Sequence, residues 1–148
     1  NRRFQNDDII MPTRAGKKLS NGAVFIDVSG SMTSEEFQGA VSEASAILYR
    51  LTPDKLDVVQ FDSHIVNVTT VKKLSDIGKI KFMGGGGTKI KPVIQWINKN
   101  KPSFALIFSD GEFDECLLKP VVPVIYLIWN NPGFKSRYGK VIKYNPKV

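Results

Sequence analysis

Two stretches of this chain are apolar without interruption and end abruptly in polar turns. Ala23-Val24-Phe25-Ile26 runs into Asp27-Val28-Ser29-Gly30-Ser31, and Phe104-Ala105-Leu106-Ile107-Phe108 runs into Ser109-Asp110-Gly111. A strand that faces water on one side alternates apolar and polar residues, whereas a run without alternation belongs to a central strand covered on both faces. Such strands need helices above and below them, which restricts the chain to a layered α/β arrangement. Val121 to Trp129, interrupted by Pro123, reads as a further strand of this kind.

The segments between these runs supply the helices. Residues 22 to 27 form the first strand, and Thr33-Ser34-Glu35-Glu36 then offers a hydroxyl N-cap and acidic first-turn residues. Phe37, Val41, Ala44, Leu48 and Leu51 follow at steps that make one helical face, and Thr52-Pro53-Asp54 stops the helix because proline disfavours the helical conformation before it. Leu56 to Phe61 and the β-branched stretch Ile65 to Val71 read as a hairpin joined by Asp62-Ser63-His64. Ser75 to Lys81 reads as a short irregular helix, and Gly84-Gly85-Gly86-Gly87 then abolishes regular structure before Thr88. Lys91 to Asn98 is a short helix with Pro92 in its first turn, a loop or small helix lies around Leu117-Leu118, and Val141-Ile142-Lys143-Tyr144 is an edge strand. The whole is an α/β fold: a doubly wound, mostly parallel open sheet with helices on both faces and one antiparallel edge strand.

At 148 residues and 42% hydrophobic, the chain can close one core and not two. Residues 1–21 read as a basic N-terminal extension and residues 22–148 as a single domain. No apolar run approaches the ~20 residues that span a bilayer. The first residues lack the apolar centre of a secretory signal, and Asn1 stands where an initiator Met would, so a fragment or processed chain is expected. Cys116 is the single cysteine, which excludes an intrachain disulfide or a thiolate cluster and favours a reducing, cytoplasmic compartment.

The net charge of +7 gathers near the ends, at Arg2, Arg3, Arg14, Lys17 and Lys18 and again at Lys135, Arg137, Lys140, Lys143 and Lys147. Without an aromatic-interleaved basic motif or a recognition helix, specific nucleic-acid binding is disfavoured, and solvated basic tails are the simpler account.

Three glycine-bordered turns carry five oxygen side chains: Asp27, Ser29 and Ser31 in the first, Thr88 in the second, Asp110 in the third. In open α/β sheets binding groups collect beyond the carboxyl ends of the strands, where Asp27 and Asp110 fall. Two carboxylates with three neutral hydroxyls suit a hard cation that keeps some of its water, Mg²⁺ above all; Mn²⁺ can substitute, and Ca²⁺ is less favoured. Two bare carboxylates about 4 Å apart at an effective dielectric near 20 repel by about 4 kcal/mol, which a shared divalent ion reverses.

The pattern Asp27-x-Ser29-x-Ser31, then Thr88, then Asp110 resembles the metal-ion-dependent adhesion site of von Willebrand factor A (VWA) domains, over a span from about Ala23 to Trp129. More narrowly, Phe61-Asp62, Gly85-Gly86-Gly87-Thr88, Ser109-Asp110-Gly111 and Tyr138-Gly139-Lys140-Val141-Ile142 are similar to the VWA-like domain at the C-terminal end of bacterial and phage metallopeptidase-like proteins. The resemblance implies that Ser29 and Ser31 ligate the ion directly, Thr88 directly or through water, and Asp27 and Asp110 mainly through water. It also implies a non-enzymatic module that docks a partner's Asp or Glu on the metal, in some relatives alongside a MoxR-type AAA+ ATPase.

Enzymatic readings fare worse. With His64 as the only histidine and no His-Glu-x-x-His pair, a histidine-rich zinc peptidase site cannot form, so any peptidase activity would lie in a region absent from this chain. A Mg²⁺-dependent phosphoryl transferase of the haloacid-dehalogenase type needs a second Asp two residues after the first, where this chain has Ser29. No Gly-x-x-x-x-Gly-Lys-Ser/Thr phosphate loop is present, and His64 beside Asp62 lacks a nucleophile-elbow serine. Glu112, Asp114 and Glu115 read as a solvated acidic rim after Asp110, and Asp62 as a similar loop charge at a neighbouring strand end.

Overall fold

The computed structural model describes residues 21–30, 32–51, 53–73, 76, 80, 85–114 and 116–144. The extension before Asn21, Ser31, Glu115 and most of Ser75 to Lys81 lie outside the described residues, as do the side chains of Leu48 and Leu51.

Among the described residues the elements are, in chain order, β1 (Asn21–Asp27), α1 (Ser34–Leu51), β2 (Lys55–Phe61), β3 (Ile65–Val71), α2 (Lys91–Asn100), β4 (Ala105–Ser109), β5 (Val124–Trp129) and β6 (Lys140–Tyr144). They build one six-stranded sheet in the order β3-β2-β1-β4-β5-β6. β1 lies between β2 and β4, parallel to both, with Val24 opposite Val58 on one side and Leu106 on the other. β5 and β6 continue the parallel sheet, while β3 returns antiparallel to β2 as the hairpin pattern predicts.

The unbroken apolar runs are buried on both faces, because alternate side chains of each strand feed different cores. Val24, Ile26, Leu106 and Phe108 pack under α1 with Ala40, Ala44 and the half-buried Phe37 and Val41. Ala23, Phe25, Ala105 and Ile107 pack on the other side with Val93, Ile94 and Ile97 of α2. Each large side chain wholly withdrawn from water, such as Phe25 or Ile107, contributes about 2 kcal/mol by transfer.

The helix ends follow from local chemistry. At α1, Thr33 N donates to Glu36 Oε1 at 2.9 Å and Glu36 N donates to Thr33 Oγ1 at 3.1 Å, a reciprocal capping box. At the end of α2, Lys101 turns left-handed (φ 48°) and its amide donates to Ile97 O at 2.7 Å, which carries the helix two residues past the predicted Asn98.

β5 starts at Val124, not at Val121 as the apolar run suggests. The Val121 amide donates to Asn98 Oδ1 at 2.8 Å and Pro123 has no amide to give, so the ladder cannot begin earlier. Asn98 Nδ2 also donates to Lys119 O at 3.0 Å, and this pairing with α2 leaves residues 116–120 without a regular element.

Candidate metal centre at the strand switch point

The strand order reverses direction between β1 and β4, the place where a doubly wound sheet opens a crevice beyond its carboxyl ends. Asp27 closes β1 and Ser109-Asp110 closes β4, so adjacency of the two strands brings their polar ends together. Asp27 is wholly buried, and Ser29, Ser109 and Asp110 are nearly so.

Both oxygens of Asp27 are engaged. Ser29 N donates to Oδ1 at 2.8 Å, and Ser109 Oγ donates to Oδ2 at 2.6 Å while accepting from Gly111 N at 3.0 Å. Burial pushes the Asp27 carboxyl above its ordinary range; the hydrogen bonds from Ser109 and Ser29 pull it back in part, and the negative charge of Asp110 pushes it up again.

Asp110 is held by its own turn. Its Oδ1 accepts from Glu112 N at 3.1 Å, and its carbonyl accepts from Asn131 Nδ2 at 2.9 Å. Gly111 follows with φ +76°, and a Cβ there would meet the Phe134 ring at 2.7 Å, so only glycine allows the chain to turn so tightly.

The Thr88 turn reaches the first turn through backbone contacts. Gly85 N donates to Val28 O at 2.8 Å and Gly30 N donates to Gly86 O at 3.1 Å. Thr88 itself is half-buried and borders a cleft of about 340 Å³ with Lys89, Lys91, Asp114 and Leu117. Of the predicted ligands, then, Asp27, Ser29 and Asp110 meet at the switch point, Thr88 stands on a turn bonded to theirs, and Ser31 lies outside the described residues.

Asp62 corrects the reading of a solvated loop charge: it is buried, and Oδ2 accepts from Gly86 N at 3.4 Å. Burial at the end of β2, one residue past the fully buried Phe61, is the physical reason. Ser63 Oγ and Asp62 Oδ1 both lie 3.3 Å from the same His64 nitrogen, Nδ1, whereas a hydrolytic relay needs its partners on opposite ring nitrogens. Sequence reasoning also missed Asn130 and Asn131. Asn130 takes φ +56° and donates to Glu36 Oε2 at 2.9 Å, tying the end of β5 to the start of α1. The Asn-Asn-Pro-Gly turn directly after an apolar strand was the available signal.

The donors fit a hard divalent cation. Oxygen alone is offered, by two carboxylates and by hydroxyls, although no three His, Cys, Asp or Glu side chains gather at one point among the described residues.

A parallel sheet with an antiparallel edge, helices on both faces and an oxygen-lined switch point defines a domain of the VWA-like class. The chain belongs to the VWA-like domain (DUF2201) family, whose pattern it matches over residues 23–145. Solved structures share the fold. An aerotolerance-related membrane protein from Bacteroides fragilis is 15% identical with a TM-score of 0.55, covering 74% of this chain and 67% of that one. The conserved hypothetical protein BatB from Bacteroides thetaiotaomicron is 15% identical with a TM-score of 0.52, covering 74% and 66%. No curated protein matches the sequence. Among the described residues no helix is long and apolar enough to cross a membrane.

Proposed function

We infer that this VWA-like domain is a divalent-cation-dependent protein-interaction module. Asp27, Ser29, Ser31, Thr88 and Asp110 are the residues that would hold Mg²⁺, and a partner would supply an Asp or Glu. The observation that carries the reading is the gathering of buried oxygen side chains where β1 and β4 end side by side: Asp27 and Asp110 are both buried, and Ser109 Oγ, the residue before Asp110, bonds Asp27 Oδ2 at 2.6 Å. Such a pair of carboxylates is costly in the free protein and favourable around a shared cation. When bound, the ion supplies an electrophilic position for a carboxylate.

The chain's own groups do the rest. Ser109 and the Ser29 amide hold Asp27 in one orientation, and the Glu112 amide and Asn131 hold the Asp110 turn. Ser29 stands where a phosphoryl transferase of the haloacid-dehalogenase type needs its acid/base Asp, which favours a binding role over that chemistry. A MoxR-type AAA+ ATPase is the partner class that the family resemblance suggests.

Calorimetric titration of Mg²⁺ into the wild type and into Asp27→Ala and Asp110→Ala tests the reading. The wild type should bind and both variants should lose binding; because Asp27 is wholly buried at the end of β1, circular dichroism and a melting curve must show each variant folded, and Asp110→Ala, in the turn after β4, decides the matter if Asp27→Ala unfolds. Undiminished affinity in both variants would sink it. A pull-down with and without EDTA, repeated with Thr88→Ala, then tests whether the partner contact needs the ion.

A further inference from the structure

We propose that Asp62 is a positioning residue for this centre, fixing the Thr88 turn in register with the β1 turn; the inference rests on the metal reading above. Asp62 follows β2 directly and is only 5% exposed. Its carboxylate is spent on backbone: Oδ1 accepts from His64 N at 3.2 Å and Oδ2 from Gly86 N at 3.4 Å. The carbonyl of the same residue accepts from Lys89 N at 2.9 Å. One residue therefore grips the glycine turn at positions 86 and 89, on either side of Thr88.

The grip propagates. Gly86 O accepts from Gly30 N, and Gly30 lies between two predicted ligands, Ser29 and Ser31. Among the described residues the turn's other ties are backbone bonds to the β1 turn, Gly85 N to Val28 O at 2.8 Å and Gly86 O to Gly30 N at 3.1 Å, while Gly85 has φ +116° and a Cβ on Gly85 or Gly87 would meet nothing within 4 Å. Glycines in such a segment have many accessible conformations, so the points where the turn is tied decide where Thr88 stands. At Gly86 the missing side chain lets the amide approach the carboxylate, since a Cβ there would lie 3.2 Å from Asp62 Oδ2. The remaining partner of the Asp62 carboxylate is the imidazole of His64, 3.3 Å away and 70% exposed. A buried carboxylate oxygen left without a partner is costly, and the Gly86 amide is the partner that Oδ2 has among the described residues, which couples the turn's position to the satisfaction of Asp62.

Two measurements on the full chain decide the matter. In metal-free protein, amide hydrogen exchange at Gly86 should accelerate at least about tenfold in Asp62→Ala, and Mg²⁺ affinity by calorimetry should fall about 10- to 100-fold, as for other supporting partners of a metal ligand. Asp62→Asn keeps one acceptor oxygen for the Gly86 amide but turns its NH2 toward the His64 amide, so both measures should fall between wild type and Asp62→Ala. In a Thr88→Ala background, Asp62→Ala should add little to the loss of affinity. If Asp62→Ala fails to fold, Gly86→Ala is the second variant: a Cβ pressed on Oδ2 should weaken Mg²⁺ binding without lowering the melting temperature. Wild-type affinity in Asp62→Ala, or weakened affinity with unchanged Gly86 exchange, overturns the positioning role and leaves the metal reading standing. A wild-type chain that binds no Mg²⁺ overturns both.

Discussion

Ser109 Oγ stands 2.6 Å from Asp27 Oδ2, a hydrogen bond between residues 82 positions apart that crosses the seam where β1 meets β4. It is the largest influence holding down the Asp27 carboxyl against burial. Through Gly111 N, which donates to the same hydroxyl, it also couples the Asp27 side chain to the turn that presents Asp110. The bond belongs at once to the fold and to the site.

Replacing Ser109 by Ala should therefore cost about 2 kcal/mol in urea unfolding, the range for a lost hydrogen bond to a charged group. It should also raise the Asp27 carboxyl further, read by the pH dependence of its carbonyl carbon shift. An unchanged titration would mean that Ser109 does not bond the carboxylate in solution.

Stability of the metal-free protein should depend on pH with a definite sign. The Asp27 carboxyl lies above its ordinary 3.8 in the folded chain, so between the two values the folded state binds more protons than the unfolded one. Stability is then greatest below the unfolded value, falls as pH rises through the folded value and is flat above it. Asp27→Asn should remove this part of the slope in a series of denaturation curves from pH 4 upward. A slope of the opposite sign assignable to Asp27 would contradict its burial as a charge.

Gly39 offers a contest between two magnitudes. Alanine in a helix interior gains about 1 kcal/mol over glycine, yet a Cβ at position 39 would lie 2.3 Å from the ring of the buried Trp129. Overpacking costs about 1 to 3 kcal/mol, so Gly39→Ala should lower the melting temperature despite its better helix propensity. A higher melting temperature would show that the ring moves aside freely.

Salt and chelator should separate a metal-bridged protein contact from attraction through the +7 net charge. Binding to heparin or a nucleic acid should weaken steeply with ionic strength and survive EDTA, whereas the partner contact should vanish in EDTA. A partner contact that persists in EDTA and fails only in high salt would favour the polyanion reading.

The strands and helices were legible because their apolar periods are strong: Ile65 to Val71 is predicted and observed without a shift, and the capping residues of α1 mark its start. Asp27 and Asp110 were visible as carboxylates ending buried strands. Less visible was what depends on distant partners. Val121 leaves the sheet because Asn98, 23 residues earlier, takes its amide. Asp62 reads as a loop charge because nothing beside it announces Gly86, 24 residues on. The Asn-Asn-Pro-Gly stretch after β5 announces a turn, but not that its asparagines reach Glu36 and Asp110, far away in the chain.

On the face that α2 covers, the connections after β4 and β5 contain no helix among the described residues. Phe113, Cys116, Val122 and Phe134 of those loops lie over the sheet there, with Phe113 and Phe134 edge-on at 5.5 Å. Coil carries few internal backbone bonds, so the loops on this flank should open at lower free energy than the helix-clad side, although β5 itself is buried throughout. Under chaotrope or protease, the β5–β6 margin should fray first while β1, β2 and α1 persist. Asp110 stands where β4 meets those loops, so opening of the loops would reach its carboxylate before it reaches Asp27.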